Sequence, residues 1–368
     1  MKRYKSDAYE NGRTVRRFFS CSLMVMALVY FIGFSISISD AKPTHLDKTK
    51  IKRGCSECHK NHGKRGTALL DQSKEDFCFT CHSLSGTSSD ILSEITKPSK
   101  HPVLETAQYH ISGEELPEKD PSTQRHVSCY DCHNVHKLDK DNKIKGLRGY
   151  SGRGAKLKKV NREYELCYNC HADSANLQNE ESDVSRDFNS FNPSYHPVET
   201  YGKNSSVPSL KSGYSSSSLI TCSDCHGNDD AFGPRGPHGS LYEPILRYRY
   251  DSRPGPESAT RYELCYACHA RSSILGDESF MAHKKHIVFG QISCAQCHNS
   301  HGSSINTRLI DFNISTVFPN SMGELSFMPY MQRKPKCFLS CHSGGQAYEH
   351  KFNEDLLYCV NETCLEEW

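Results

Sequence analysis

The sequence predicts short helices joined by long irregular connections, with little sheet and a core that side chains alone do not fill. Three observations predict it. The chain of 368 residues is only 36% hydrophobic and has one tryptophan, Trp368, which is little apolar mass for a chain of two-domain length. It carries 19 cysteines and 20 histidines, residue types that hold metals and prosthetic groups. Glycine, proline, serine and asparagine punctuate it so densely that hardly any segment keeps a helical or strand period. A bulky apolar cofactor would reconcile the poor core with the wealth of ligands.

Residues 1–41 read as an export signal. Lys2, Arg3, Lys5, Arg13, Arg16 and Arg17 form a basic start, residues 23–38 are apolar, and Ser39 and Ala41 supply a small-x-small cleavage site. An uncleaved N-terminal anchor in the inner membrane is the alternative, since the apolar run is near the lower length limit for spanning. Cys21 precedes that run, so it is not placed as a lipid-bearing cysteine. The formal net charge of +2 gives no reason to expect nucleic acid as a partner.

From residue 55 onward a repeat is written in cysteine and histidine. Seven pairs have the form CxxCH: Cys55, Cys58 and His59; Cys78, Cys81 and His82; Cys129, Cys132 and His133; Cys167, Cys170 and His171; Cys222, Cys225 and His226; Cys265, Cys268 and His269; Cys294, Cys297 and His298. An eighth, CFLSCH, places Cys337, Cys341 and His342 with one extra residue between the thiols. Zinc sites do not require a histidine abutting every pair, and a disulfide leaves the histidines without a purpose. Covalent attachment of haem c uses all three residues. Thiols at i and i+3 share one side of a helical turn and add to the porphyrin's two vinyl groups, and the following imidazole ligates the iron. The expected cofactor is therefore eight covalently attached haem c groups. At the eighth site the extra residue loops out, or a thiol joins Cys359 or Cys364 instead.

The sites are paired, 55 with 78, 129 with 167, 222 with 265 and 294 with 337. REYELCYNCHA (162–172) is nearly repeated as TRYELCYACHA (260–270), and CHKNHG (58–63) as CHNSHG (297–302). This alternation resembles the doubled-CxxCH family of multihaem cytochromes over most of residues 54–343. The third unit departs from the pattern, since the histidine after His226 is His238. The expected fold is a multihaem cytochrome c with short α-helices at the attachment sites, irregular connections, little β and a haem-filled core. Residues 42–202 would hold haems 1–4 and residues 219–350 haems 5–8, joined by a serine-rich linker at 203–218. In the tail, 351–368, Cys359 and Cys364 read as a disulfide in an exported protein, with pairing to another subunit as the lesser alternative. The basic stretch 142–160 reads as a solvated loop or as a partner for buried haem propionates.

Each iron needs a second axial ligand or stays open to substrate. The distal candidates are His62, His136 and His301, three residues past an attachment histidine; His101 and His196, each opening an HPV triplet; His126 and His286, shortly before a motif; and His238. A side chain one turn from its own attachment histidine cannot easily cross to the far face of the same haem, so the first three are expected to serve neighbouring haems. His45, His110, His283 and His350 are alternates. Met322, Met328 and Met331 cluster before Cys337, where one could serve haem eight, although packing against porphyrin is the plainer reading.

Saturated ligation leaves outer-sphere electron transfer as the chemistry, so the expectation is an exported electron carrier, not an enzyme. The resemblance implies partners among redox proteins of the periplasm and outer membrane, including porin–cytochrome complexes. It also implies that self-assembly into filaments is open, with His45 as a ligand offered to another subunit. The rival is an octahaem oxidoreductase of nitrogen or sulfur compounds with one open iron. No CxxCK is present, and histidine supply exceeds demand.

Overall fold

A Cys-x-x-Cys segment closes a single helical turn, and the structure, a computed structural model, is built on that unit. It describes residues 44–59, 74–86, 88–105, 126–139, 142–150, 156–157, 160–172, 177, 183–329, 336–343, 346–350, 359–360 and 363–364. The expected signal segment, His62, His110 and Met331 lie outside the described residues, as do the side chains of His342, His350, Cys359 and Cys364. Cys359 and Cys364 are register partners of a two-residue antiparallel pair. Among the described residues no helix is long and apolar enough to cross a membrane.

Helices of four residues, Cys55–Cys58, Cys129–Cys132 and Cys222–Cys225, form the first, third and fifth sites. Two of them are started by the sequence S/T-C-x-D: Asp131 accepts from the backbone N–H of Ser128, and Asp224 from that of Thr221, each at 2.7 Å. The attachment histidine ends the turn in an extended conformation at His59, His133, His226 and His269. Its N–H still donates to the carbonyl of the first cysteine at 2.8–2.9 Å. The fourth site ends the longest helix, Tyr164–His171, and the sixth ends Glu263–Cys268. The seventh is a 3-10 turn, Cys294–Gln296.

The eighth site corrects the expectation of a helical turn at every attachment point. Lys336–Ser343 is a strand, paired with Gln346–His350, Val317–Phe318 and Ser326–Met328. In a strand i and i+4 share a face where i and i+3 would not, so Cys337, Leu339 and Cys341 fall on one side.

The remaining strands are brief and hold a repeated module. Asp90 caps the helix Ile91–Ile95 and Asp183 caps Val184–Asp187, each accepting from a nearby serine N–H at 3.0–3.1 Å. After each helix comes a two-residue strand and then HPV. Ser99–Lys100 pairs with Gly239–Ser240, and Ser194–Tyr195 with Gly302–Ser303. Glycine is required at both crossings, because a β-carbon on Gly239 would run into the Glu94 carbonyl and one on Gly302 into that of Asp187.

The serine-rich stretch expected as a linker lies along the sixth site. Lys211 N–H donates to the Cys268 carbonyl at 2.9 Å and Ser209 Oγ meets His269 Nδ1 at 2.9 Å. Apolar burial among the described residues is scattered: Tyr262, Tyr266 and Ile287 form one buried cluster, and Val317, Leu339 and Cys341 another. Tyr168 and Tyr266, equivalent in the repeated YELCY, are both buried, with their hydroxyls donating to Glu199 and Glu257.

Candidate haem-binding sites

Seven attachment histidines each face one other imidazole. Ring centroids lie 6.0 Å apart for His59 and His136, 6.1 Å for His82 and His45, and 6.1 Å for His133 and His238. They lie 6.4 Å apart for His171 and His101, 6.2 Å for His226 and His301, 6.5 Å for His269 and His196, and 6.4 Å for His298 and His283. Two imidazoles ligating one metal at roughly 2 Å, each ring centroid about 1 Å behind its nitrogen, stand about 6 Å apart. The pairs therefore leave room for an iron between the rings and little more. Among the described residues no three Cys, His, Asp or Glu side chains converge as a metal cluster; the imidazoles converge in twos.

Hydrogen bonds set the tautomers. His82, His226 and His298 direct Nδ1 at the carbonyls of Ser89, Pro244 and Arg308, at 3.3, 2.9 and 3.1 Å. His101 does the same to Pro237 at 2.7 Å, and His196 to Ser300. A carbonyl only accepts, so Nδ1 carries the hydrogen and Nε2 keeps the lone pair that a metal takes. Burial, followed by the facing imidazole, holds His238, His269 and His301 down at about 4 and His283 at about 3. These rings are neutral at physiological pH, the form that ligates. Burial likewise pushes the Cys132, Cys225 and Cys337 thiols up to about 12. Zinc would need thiolates there; a thioether carries no charge and suits such a place.

The pairs come in clamps, each holding two distal histidines. Thr44 N–H donates to the Leu138 carbonyl at 3.0 Å, bringing His45 and His136 to sites 2 and 1. The strand pair at 99–100 and 239–240 sets His101 and His238 at sites 4 and 3. The pair at 194–195 and 302–303 sets His196 and His301 at sites 6 and 5. The histidine three past a motif thus faces the attachment histidine two motifs earlier, at His136 and at His301, where the sequence pointed to a neighbouring haem.

Two of the facing imidazoles stood only among the alternates in the sequence. His45 and His283, held as alternates, stand in pairs, and His45 meets His82 of its own chain. The signal for His45 was its place ahead of a unit, where HPV histidines stand later. His283 sits in HKKHIV, beside an HPV-like triplet. His126 is buried ahead of Cys129, and the ring of His286 stacks on Phe280 at 5.8 Å while its Nδ1 meets the Ala282 carbonyl at 2.8 Å. Neither faces one of the seven paired attachment histidines. Met322 and Met328 are exposed.

The thiols place the sites in single file. Cys78 lies beside Cys129, Cys167 beside Cys222, and Cys265 beside Cys294. Between those links the second cysteines are within electrostatic reach of one another: Cys58 of Cys81, Cys132 of Cys170, and Cys225 of Cys268. Cys297 feels both Cys337 and Cys341. Polar contacts run along the same line. Ser223 donates to Glu163 through N–H and Oγ at 2.8 Å each, joining sites 4 and 5. Arg148 links Cys132 to Asn169, joining sites 3 and 4. Spatial order follows sequence order.

The fit is good at seven sites and incomplete at the eighth. A strand rising about 3.3 Å per residue sets Cys337 and Cys341 about 13 Å apart, against about 5–6 Å for one helical turn. Two thioethers to one haem require residues 337–342 to shorten into a turn.

The doubled CXXCH motif family matches residues 49–85, which contain the first two sites. The family described as outer membrane cytochrome MtrC/MtrF-like, domains II/IV, matches residues 128–309, which contain the third to the seventh. No curated protein and no solved structure matches the chain.

Proposed function

Since the chain is a multihaem c-type cytochrome, we propose that it is an exported electron conduit with eight haems in single file, each iron closed on both faces by imidazole. The observation that carries this reading is the set of seven histidine pairs at 6.0–6.5 Å. Haem c supplies reversible one-electron chemistry when attached. The polypeptide fixes the order of the haems, shields them and denies the irons to small molecules. Alternate thiol contacts bring consecutive sites edge to edge, which favours transfer from each to the next. The likeness to outer membrane cytochromes supports a place at the envelope surface or beyond it, with other redox proteins as partners. Because the seven pairs are internal, assembly into longer chains would not need to borrow a distal ligand at those sites.

The test is a haem count by mass spectrometry with UV–visible and EPR spectra of the purified holoprotein. Eight haems, all low-spin and slow to take cyanide, are expected. A high-spin fraction near one haem in eight, with rapid cyanide binding, would transfer the case to an octahaem enzyme.

A further inference from the structure

The segment between His45 and Cys55 carries charge that neither attachment nor ligation uses. Lys48, Lys50, Lys52 and Arg53 are all exposed on successive turns, and none pairs with a described acidic group. Of the nearby acids, Asp47 accepts from Thr49 N–H and Oγ1 at 2.9 and 2.8 Å, and Glu57 from Arg53 N–H at 3.3 Å. Lys42, Lys60, Lys64 and Arg65 flank the stretch in sequence. The chain as a whole is near neutral, at +2, so this is a local concentration of charge. It lies beside the first site, whose Cys58 is within electrostatic reach of Cys81 of the second. Cys55 is also the one exposed thiol among the sixteen motif cysteines, every other being half-buried or buried.

We propose that the first-site end is a port where a redox partner with an acidic surface docks and exchanges electrons with the first haem. The inference rests on the conduit reading and adds the place and sign of the contact. The basic residues lie two to seven positions before Cys55, and charge acts over roughly 8 Å at physiological salt. A partner steered by them arrives at the most exposed attachment site. Each turnover moves one electron from ferrous haem to the oxidised partner, leaving ferric haem and the partner reduced by one.

The experiment uses fully reduced holoprotein mixed in a stopped-flow instrument with hexacyanoferrate(III), an anionic one-electron oxidant, and with hexaammineruthenium(III), a cationic one. The port variant is Lys48→Glu, Lys50→Glu, Lys52→Glu. The control, Lys143→Glu, Arg235→Glu, Arg253→Glu, makes the same change in net charge at exposed positions elsewhere. At low salt the port variant should lose roughly tenfold in its rate with the anion, lose most of the salt dependence and gain with the cation. The control should stay within about twofold. Equal losses in both variants, or no loss in the port variant, overturn the port. Failure of the conduit reading shows separately, as missing haem or incomplete reduction by dithionite in the unaltered protein.

Discussion

His301 sits three residues past His298 yet faces His226, while His298 faces His283. If the two distal histidines serve two irons, His301→Ala and His283→Ala should each open one haem to cyanide, and the double variant should open two. EPR and cyanide titration count them; a double variant that opens only one would mean that both histidines serve the same iron. That His136 and His301 turn away from the haem of their own motif is what geometry led one to expect, because one helical turn cannot reach around a porphyrin; which site each faces was not legible. Nor was His45, because a single histidine among lysines has no period and no fixed spacing from its target. His283 was obscured by His286, three residues away and closer to the motif. The thiols were fully legible, since covalent attachment fixes their spacing locally, whereas a distal ligand can come from anywhere the chain returns.

Short elements matter here because each clamp is only two residues wide. Gly302→Ala places a methyl group against the Asp187 carbonyl and should force apart the helix and strand that aim His196 and His301, at about 1–3 kcal/mol. Gly202→Ala, which meets only ordinary contacts at 3.6 Å and beyond, should change stability by less than about 0.5 kcal/mol. Thermal melts of the two holoproteins decide this. The neighbouring clamp is tied by Lys97, whose ammonium reaches Glu94 at 2.6 Å and Asp229 at 2.8 Å. Burial opposes the charge on Lys97, yet its bonds to Asp229 and Glu94 carry its pKa above the ordinary lysine value. Burial would raise Asp229 too, but the Lys97 bond and the Leu241 N–H hold it below the ordinary carboxylate value. Asp229 thus contributes stability above pH ~4 that fades as pH falls through its lowered pKa, and Lys97 contributes below pH ~10.5 and fades as pH rises through its raised one. Lys97→Met should cost about 1–3 kcal/mol near neutrality. The deficit should shrink at both extremes, and melts across pH would show it; a deficit flat with pH would place the effect in packing. Elements such as these were only partly legible. The turns at CxxCH follow from local spacing, but two-residue strands have no periodicity to read. The strand at 336–343 arises from partners at 317–318, 326–328 and 346–350 that no local pattern announces.

At the scale of the whole chain, the scattered apolar clusters and the single file of sites make stability depend on position along the file. Site 4 lies between neighbours on both sides, with Cys170 near Cys132 and Cys167 beside Cys222. Its helix also carries buried Tyr168 and is preceded by Glu163, the residue that grips Ser223. Site 8 is the last in sequence and, among the described residues, meets site 7 through Cys297. Cys167→Ala with Cys170→Ala therefore removes a cofactor that two others lean on, whereas Cys337→Ala with Cys341→Ala removes one from the end. Mass spectrometry should show one haem fewer in each variant than in the unaltered protein. If the eighth strand does not shorten to accept haem, the unaltered protein already carries seven and the second variant loses none. The central variant should melt well below the terminal one. It should also slow passage of electrons between the two ends, measured by reducing the protein at an electrode and timing the reoxidation of its haems, while the terminal variant keeps transfer through the first seven. Should both variants melt together and conduct alike, the haems would be neither the core of this fold nor a path in series. The low apolar fraction from which the fold class was first read would then need another explanation.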